Sequence, residues 1–382
     1  MKPSLLLRTL HTSLWRSKPT VSKPLATFLT TQTYSRTMAS AMSRRLEGKT
    51  VVVTGASSGI GKATAIEFAR TSPKSLKLIL TARREDSLKQ LAQEISKEVG
   101  EGVKVLPVKL DVSKPEEVKN FIPNLPQEFR DIDVLVNNAG LVKGVDKAGE
   151  IQEQDITVQF DTNVLGLINM TQAVLQVMKK KGESGAGDII NIGSIAGREP
   201  YPGGSIYCAT KAAVRSFTDA MRKELIATRI RIIEIDPGQV ETEFSVVRFG
   251  GDKEKADAVY KGVTPLTGED IAETIVFAAG RNENVVIADM LIFPNHQVSA
   301  PCHVLMLRVL EGMQTDQRTT RLLRPSCTGG HRCWSDGSIG WRALHAPTAG
   351  GQRLEDIELQ RCTGEMYIIP ADRTMSRRFT TR

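Results

Sequence analysis

The chain has 382 residues, and its 51 Lys and Arg against 43 Asp and Glu give a formal net charge of +8. The positive charge lies at the two ends, because residues 1–46 carry +8, residues 299–382 carry +4 and residues 47–298 carry −4. An acidic middle without a basic stripe argues against nucleic-acid binding as the main function, and no apolar run has the length that a membrane span needs.

Residues 1–46 are predicted to be a basic leader. They contain eight basic and no acidic residues, with Arg, Ser, Leu and Trp spaced as in an amphipathic helix, which is typical of a mitochondrial presequence. Two alternatives stay open: a disordered leader, or a mature start at Met38 or Met42. We therefore expect a mitochondrial location if the leader is a presequence, and a cytoplasmic one otherwise.

From Lys49 onward, short apolar runs alternate with amphipathic stretches, which indicates successive βαβ units. Continuously apolar segments are typical of buried parallel strands, and seven are found: 50–54, 76–81, 103–110, 134–137, 188–193, 231–236 and 287–292. Helices are predicted over 61–70, 85–99, 115–121, 158–180, 206–228 and 270–279. The predicted fold class is α/β, a doubly wound parallel seven-stranded sheet of the Rossmann type with helices on both faces, over residues 47–298.

Residues 299–382 are predicted to be an irregular tail. Apolar periodicity fades after Pro294, and glycine and proline breakers are scattered through the segment. The tail has twelve Arg and no Lys, unlike the lysine-rich body. A translated non-coding or frame-shifted end is the favoured hypothesis, and a disordered interaction tail is the alternative.

The cysteines indicate neither a metal site nor a redox pair. Of the five, Cys208 alone lies in residues 47–298, and no CxxC or Cys/His ligand spacing occurs. Because Cys208 points away from the helix face that carries Tyr207 and Lys211, it is interpreted as a small packing residue.

A glycine turn, TGASSGIG at residues 54–61, follows the first apolar strand and opens a helix. Gly55 permits a tight turn, Gly59 lets the backbone approach a pyrophosphate, and Gly61 allows close helix packing. The helix N-terminus favours the negative charge of a phosphate. This context predicts a dinucleotide site, and a turn without a ligand is the alternative.

The second strand ends in Arg83 and Arg84, where an NAD enzyme would carry an acid for the ribose 2′-hydroxyl. Two guanidinium groups suit a 2′-phosphate, which they bind by charge-assisted hydrogen bonds. The sequence therefore predicts NADP as the cofactor, with an exposed charge pair at a helix start as the alternative.

These features, with five further motifs, resemble the short-chain dehydrogenase/reductase family in its compact single-domain form. The motifs are NNAG at 137–140, Asn163 in DTNV, Ser194 in IGSIAG, Tyr207 and Lys211 in YCATK, and PGQVET at 237–242. The resemblance covers residues 46–298. Longer stretches, such as YPGGSIYCATKAAV and VVIADMLIFPNHQ, look like the fungal NADP-dependent 3-hydroxy acid dehydrogenases, which also oxidise serine and allo-threonine.

The resemblance implies a catalytic set of Asn163, Ser194, Tyr207 and Lys211. Tyr207 would be the general acid/base, and Lys211, one helical turn away, would stabilise its phenolate, since a free phenol has a pKa of about 10. Ser194 would orient the substrate oxygen, and Asn163 would complete a proton relay. Taken singly, each has a structural alternative: Tyr207 as a half-buried helix residue, Ser194 as a strand cap, Asn163 as a side chain bonded to the backbone.

The resemblance also implies the cofactor contacts. Asp111 would contact the adenine, Asn138 the adenosine ribose, and Val240 and Thr242 the nicotinamide amide and the pyrophosphate. For Asp111, a helix cap beside Ser113 is the alternative. The full set of implied contacts is Gly55, Ser57, Ser58, Gly59, Ile60, Gly61, Arg83, Arg84, Asp111, Val112, Asn138, Tyr207, Lys211, Val240 and Thr242.

Arg198 and residues 243–265 are candidates for the substrate pocket, with Ser194 and Tyr207. A guanidinium at Arg198 would hold a substrate carboxylate, although pairing with Glu199 or a neighbouring subunit is equally open. The expected function is hydride transfer between NADP(H) and a small 3-hydroxy acid or β-hydroxy amino acid, in a homotetramer. The alternatives are a ketoreductase of other carbonyl compounds and a non-catalytic NADP(H)-binding regulatory protein.

Overall fold

A computed structural model describes residues 41–261 and 263–300, together with the backbone of three strands between residues 357 and 379. The first 40 residues of the predicted leader, and most of the predicted tail, lie outside the described residues. None of the described helices is both long and apolar enough to cross a bilayer.

Seven parallel strands form the central sheet, in the order β3-β2-β1-β4-β5-β6-β7. They are β1 Thr50–Thr54, β2 Leu76–Ala82, β3 Val103–Lys109, β4 Val134–Asn137, β5 Ala186–Ile192, β6 Arg229–Pro237 and β7 Asp289–Ile292. The chain leaves β1 on one side towards β2 and returns on the other side as β4. This reversal of strand order creates the crevice where doubly wound sheets bind ligands.

Nine α-helices accompany these strands within residues 41–261 and 263–300, apart from a short helical segment at residues 41–46. They are α1 Gly59–Thr71, α2 Glu85–Val99, α3 Pro115–Asn124, α4 Glu153–Phe160, α5 Leu167–Met178, α6 Ser205–Glu224, α7 Glu243–Arg248, α8 Lys253–Ala258 and α9 Gly268–Ala279. The short helices α7 and α8 have no counterpart among the predicted elements.

Helices pack on both faces of the sheet, as predicted. Alternate side chains of β1 point to opposite faces: Val51 and Val53 join the core under α1, α2 and α9, whereas Val52 joins the core under α3, α5 and α6. All five residues of β1 are buried. The continuous apolar runs therefore arise because both faces of a parallel sheet are covered, and the predicted fold class is confirmed.

One predicted helix, 158–180, is interrupted by a π-helical turn, Asp161–Gly166, between α4 and α5. Gly166 lies against Val112, since a Cβ at Gly166 would come within 2.8 Å of Val112 Cγ2. Asn163, also in this turn, hydrogen-bonds to the loop after β4. The extra residue in the turn therefore accommodates contacts made across the fold.

The end of the predicted leader is part of the folded body. Residues 41–46 are helical, Leu46 is fully buried in the core, and Arg45 donates a hydrogen bond to the carbonyl of Gly280 at 3.1 Å. The packed unit therefore includes residues before the predicted bound at 46/47.

Three strands are found in the predicted tail, β8 Ile357–Cys362, β9 Glu365–Pro370 and β10 Arg377–Phe379, and they form an antiparallel sheet. No regular element is predicted here from the sequence pattern. Two residues, Thr363 and Gly364, separate β8 from β9, which is the length of a two-residue hairpin loop.

Candidate active site

The carboxyl ends of the strands around the β1/β4 reversal open into a cavity of about 800 Å³. This is the edge at which an open parallel sheet binds ligands. The predicted site residues that line it are Gly55, Ser57, Ser58, Gly59, Ile60, Arg83, Arg84, Asp111, Val112, Asn138, Ser194, Tyr207, Lys211, Val240 and Thr242. The predicted residues outside the lining are Gly61, Asn163 and Arg198.

The glycine turn adopts backbone conformations that favour glycine. Gly55 has φ 65° and Gly59 has φ 53°, a region that side chains disfavour. A Cβ at Gly61 would overlap the carbonyl of Gly55, so Gly61 serves packing rather than the cavity surface. Ser58, the N-cap of α1, does not cap the first turn with its side chain. The N–H groups of that turn thus suit a pyrophosphate.

Asn138 and Asp111 lie on the cavity wall with their side chains already engaged. Asn138 Nδ2 donates to the carbonyls of Thr54 at 2.9 Å and Gly55 at 3.2 Å, which ties β4 to the glycine turn. Asp111 Oδ1 accepts from Ser113 N at 3.0 Å and Ser113 Oγ at 2.7 Å. Asp111 therefore closes a turn before α3 and also faces the cavity, but the helix-cap alternative is not observed, because the N-cap of α3 is Lys114 and no side chain caps it.

Two arginines stand at the far end of the cavity. Arg84 Nη2 donates to Ser57 Oγ at 3.1 Å and Ser58 Oγ at 2.8 Å, and forms an ion pair with Glu243 at 3.1 Å. Arg83 is exposed at the same rim. Because the Arg84–Glu243 pair is solvent-exposed, it contributes little stability and is readily exchanged for a phosphate.

Tyr207 enters the cavity from the first turn of α6. It is 9% exposed, and its ring meets Phe244 edge-on at 5.5 Å between centroids. Burial raises the pKa of the phenol above its ordinary value, and the hydrogen bond with Ser194 and the positive charge of Arg248 oppose that rise. The phenol is therefore a proton donor at neutral pH, and its ionisation depends on neighbouring donors and cations.

Lys211 lies one helical turn beyond Tyr207, as predicted from the spacing. Its Nζ donates to the carbonyl of Ile192 at 2.7 Å and lies 5.8 Å from the centroid of the Tyr207 ring. Burial lowers the pKa of Lys211 to about 8, against the negative charges of Asp236 and Glu234. The ammonium form therefore predominates at neutral pH beside the phenol.

Ser194 follows β5 and begins a 3₁₀ turn. Its Oγ accepts a hydrogen bond from Ala196 N at 3.1 Å, and its backbone N–H donates to Asp236 Oδ1 at 3.0 Å. Both the backbone and the side chain of Ser194 are thus held, in the wall of the cavity that Tyr207 also lines.

The amide of Asn163 lies just behind the cavity. Its Oδ1 accepts from Leu141 N at 2.8 Å, and its Nδ2 donates to Leu141 O at 2.8 Å and Thr210 Oγ1 at 3.1 Å. These bonds tie the π turn to the loop after β4 and to α6. The structural alternative for the side chain is therefore observed, and the proton-relay role stays a prediction.

The proposed carboxylate clamp at Arg198 is not supported by the structure. Arg198 Nε donates to Asp236 Oδ2 at 2.7 Å and Nη2 donates to Asp289 Oδ1 at 2.8 Å. Its charge is thus satisfied by two acids within the fold, and its side chain does not line the cavity. The partners of Arg198 are therefore Asp236 and Asp289, and neither Glu199 nor a substrate carboxylate.

A different arginine, Arg248 at the end of α7, lines the cavity near Tyr207. Its Nη2 donates to the carbonyl of Gly203 at 3.2 Å, and its guanidinium lies 5.4 Å from the Tyr201 ring centroid. Its Nε is buried without a hydrogen-bond partner, and no carboxylate of the described residues pairs with it. Arg248 lies in the predicted candidate segment 243–265 but is not predicted individually, because the spacing does not show which side chain turns inward.

Comparison with known proteins agrees with this geometry. The family model of short chain dehydrogenases matches residues 49–250. The chain is 57% identical over 256 residues to the NADP-dependent 3-hydroxy acid dehydrogenase of Schizosaccharomyces pombe, covering 67% of this chain and 96% of that protein. It is 42% identical to sulfoacetaldehyde reductase 2 of Chromohalobacter salexigens, covering 65% and 94%.

Among solved structures, the closed form of serine dehydrogenase complexed with NADP+ is similar, with a TM-score of 0.60 and 39% identity over 65% of this chain and 96% of that one. The residues that the family model matches contain strands β1 to β6, the glycine turn and the Tyr207–Lys211 helix. The resemblance found in the sequence is thereby confirmed, and the chain belongs to the short-chain dehydrogenase family.

Proposed function

We propose that the protein is an NADP(H)-dependent oxidoreductase that acts on a small 3-hydroxy acid or a β-hydroxy amino acid of the serine or allo-threonine type. The observation that carries the proposal is that Tyr207, Ser194 and Lys211 share a cavity with the glycine turn. A protein that only bound the dinucleotide would have no need of a buried phenol beside an ammonium group.

The cofactor, when bound, supplies or accepts the hydride. The glycine turn and the N-terminus of α1 would hold its pyrophosphate, and Arg83 and Arg84 its 2′-phosphate. Ser194 orients the substrate oxygen. Tyr207 gives a proton to that oxygen in reduction and removes it in oxidation, and Lys211 stabilises the phenolate. The protein thus contributes geometry, charge and proton transfer.

The acidic character of the substrate is supported by Arg248. A guanidinium on the cavity wall, with a buried Nε lacking an acceptor, matches a carboxylate in charge and in hydrogen bonding. The similar proteins are named for 3-hydroxy acids, serine and sulfoacetaldehyde, each of which bears a carboxylate or a sulfonate. We propose that Arg248 holds this anionic group.

A substrate panel tests the function. We expect kcat/KM to be at least about tenfold higher for 3-hydroxypropionate or L-serine than for a neutral hydroxy compound of equal size, because one charge-assisted hydrogen bond is worth about 1.5–3 kcal/mol. Higher activity on a neutral ketone would favour the general ketoreductase. Tight NADP(H) binding without turnover of any compound would favour the regulatory protein.

Replacement of Arg248 by Leu tests the anion site. We expect KM for 3-hydroxypropionate to rise about 10- to 100-fold, with little change for a neutral ketone. Arg198→Leu is the matched control, because Arg198 is bound by two acids and should affect both substrates equally. Equal losses on both substrates in Arg248→Leu would contradict the proposal.

Selectivity for NADP(H) is tested at the two rim arginines. We expect Arg83→Ala and Arg84→Ala each to raise KM for NADPH about tenfold or more, with a smaller effect on NADH, which lacks the phosphate. A preference of the unmodified protein for NADH would overturn the assignment.

We also propose a homotetramer, as the resemblance implies. The exposed apolar side chains of Phe277 on α9 and of Val285, Val286 and Leu291 near the edge strand β7 support an interface there. Light scattering of the full chain should give about four times 41.9 kDa; a monomer mass would refute the assembly.

A mitochondrial location is proposed from the basic leader. The full-length chain carrying a C-terminal fluorescent tag should colocalise with a mitochondrial marker, and a variant lacking residues 1–37 should not. A diffuse cytosolic signal from the full-length chain would instead indicate a cytoplasmic protein.

A further inference from the structure

Two acidic side chains are buried on the face of β6 that packs against α6. Glu234 and Asp236 are each 1% exposed, and their separation of two residues puts both on one face of the strand. Neither is a candidate site residue in the sequence. Because a buried carboxylate is costly without partners, the contacts of this pair indicate what it does.

Asp236 holds the turn that carries Ser194. Its Oδ1 accepts the Ser194 backbone N–H at 3.0 Å, and its Oδ2 accepts Arg198 Nε at 2.7 Å. Arg198 is held from its other side by Asp289 Oδ1 at 2.8 Å. Both oxygens of Asp236 are thus bonded to one turn, so Asp236 sets the position from which the Ser194 hydroxyl reaches the cavity.

Glu234 lies against Asp236. Both carboxyl groups are buried side by side, and two buried carboxyl groups this close favour a proton on one of them. Glu234 Oε1 accepts no hydrogen bond from the described residues. A Cβ at Gly193 would overlap Asp236 Oδ1 and come within 2.7 Å of Glu234 Oε1, so the glycine before Ser194 makes room for the pair.

The hydrogen-bond donors around the pair favour Glu234 as its protonated member, because Asp236 accepts from Ser194 N and Arg198 Nε. Burial first, and then the charge of Asp236 and the hydrogen bond with it, raise the pKa of Glu234 above the ordinary range of a carboxyl. Burial also raises the pKa of Asp236, but the hydrogen bond and the charge of Arg198 oppose that rise. Hydrogen-bond donors stabilise the charged form of Asp236. Among the described residues, the cation that favours the charged form of Glu234 is Arg215, which acts at longer range.

Charged groups on three neighbouring elements face the pair. They are Lys211, Arg215 and Asp219 of α6, Arg198 of the turn after β5, and Asp289 of β7. Among them Lys211 is buried, and burial lowers its pKa to about 8 while the negative charge of the acid pair opposes the fall. Lys211 Nζ also bonds to the carbonyl of Ile192, whose strand partner Ile235 lies between Glu234 and Asp236, so the acid pair is the counter-charge for the ammonium group beside Tyr207.

We propose that Glu234 and Asp236 are positioning residues of the reaction, which share one proton so that a single negative charge holds the Ser194 turn and keeps Lys211 protonated. The proposal rests on the proposed function for its link to turnover. If both carboxyl groups were protonated, Arg198 and Lys211 would lose the buried negative charge that they face. If both were ionised, the two carboxylates would repel each other in a medium of low polarity.

The first test does not require turnover. In protein labelled with ¹³C at the glutamate side-chain carboxyl, infrared difference spectra between pH 6 and pH 10 should show the carbonyl stretch of a protonated, labelled carboxylic acid at neutral pH. Glu234 is the one buried glutamate among the described residues, and Glu234→Gln should remove the band. Absence of the band in the wild-type protein at pH 7 would overturn the shared proton, whether or not any substrate is known.

The second test measures the alkaline limb of kcat/KM for carbonyl reduction. Asp236→Asn should lower its midpoint by about one pH unit, because the loss of a nearby negative charge favours the neutral amine of Lys211. Glu234→Gln, which keeps the charge of Asp236, should move the midpoint by less than half as much. Asp289→Asn is the control: Asp289 is exposed and binds Arg198, and its charge is not among those that act on Lys211, so its midpoint should match that of the wild type.

A purely structural role predicts a different result. Asp236→Asn would then lower activity and thermal stability equally at every pH, without a shift of the midpoint, and the proposal would be refuted. If Asp236→Asn does not fold, two measurements still test the proposal. One is the infrared band, and the other is whether the alkaline midpoint of kcat/KM shifts more in Glu234→Gln than in Asp289→Asn. Failure of the whole substrate panel would count against the proposed function and leave the infrared result intact.

Discussion

At the scale of single residues, the chemistry depends on three side chains brought to one place by two elements. Tyr207 and Lys211 come from α6, and Ser194 comes from the turn after β5. Burial raises the pKa of the phenol and lowers that of the ammonium group, so each group opposes the desolvation penalty of the other when Tyr207 ionises. The buried pair thus makes a tyrosine usable as a proton-transfer group.

Tyr207→Phe should lower kcat by about 10²- to 10⁴-fold, because the ring remains and the transferable proton is lost. Titration with NADPH, followed by its fluorescence, should show an almost unchanged dissociation constant, since the edge-on contact with Phe244 is preserved. Turnover close to that of the wild type would contradict the acid/base assignment.

At the scale of elements, the π turn before α5 connects three segments of the site. Through Asn163 it is bonded to Leu141 in the loop after β4 and to Thr210 of α6. The loop, the turn and the helix are separate in the chain, and this one amide is bonded to all three. Helix periodicity predicts the two flanking helical stretches, but it carries no information on such a contact.

Asn163→Ala should destabilise the fold by about 1–3 kcal/mol or more, because it leaves the buried N–H and carbonyl of Leu141 without partners. The measurement is urea unfolding followed by circular dichroism. Asn120→Ala is the control, since Asn120 is exposed and bonds only to the carbonyl of Glu116, and it should change stability by less than about 0.5 kcal/mol. Equal effects of the two substitutions would mean that Asn163 does not join these segments.

At the scale of the whole molecule, the charge is divided between an acidic domain and two basic ends. The similar proteins are covered to 94–96% of their own length, while they cover 65–67% of this chain. The excess lies in the predicted leader and tail, where residues 299–382 carry twelve Arg without a Lys. The bounds of these segments stay a prediction.

If the tail arises from non-coding or frame-shifted sequence, the endogenous protein should lack it. Intact-mass spectrometry of the protein purified from its source should then give a mass well below the 41.9 kDa of the full chain. A species that extends to Arg382 would refute this hypothesis and favour an interaction tail.

The sequence by itself determined the features that depend on residues close together in the chain. Continuous apolar runs predict the seven strands, because both faces of a parallel sheet are covered. The glycines of residues 54–61 predict the turn, because few other residues accept the positive φ of Gly55 and Gly59. The spacing of Tyr207 and Lys211 puts both on one helix face. Each of these is a local property of the chain.

Tertiary structure alone decided which partners the charged groups meet. Arg198 is bonded to acids 38 and 91 residues away, whereas Arg248 turns towards the cavity and pairs with no carboxylate of the residues that the structure describes. Glu234 and Asp236 of β6 come together with Gly193 and Lys211 only in the folded protein. Ion pairing depends on distance and burial across the fold, so two arginines that look alike in the sequence have different roles in the folded protein.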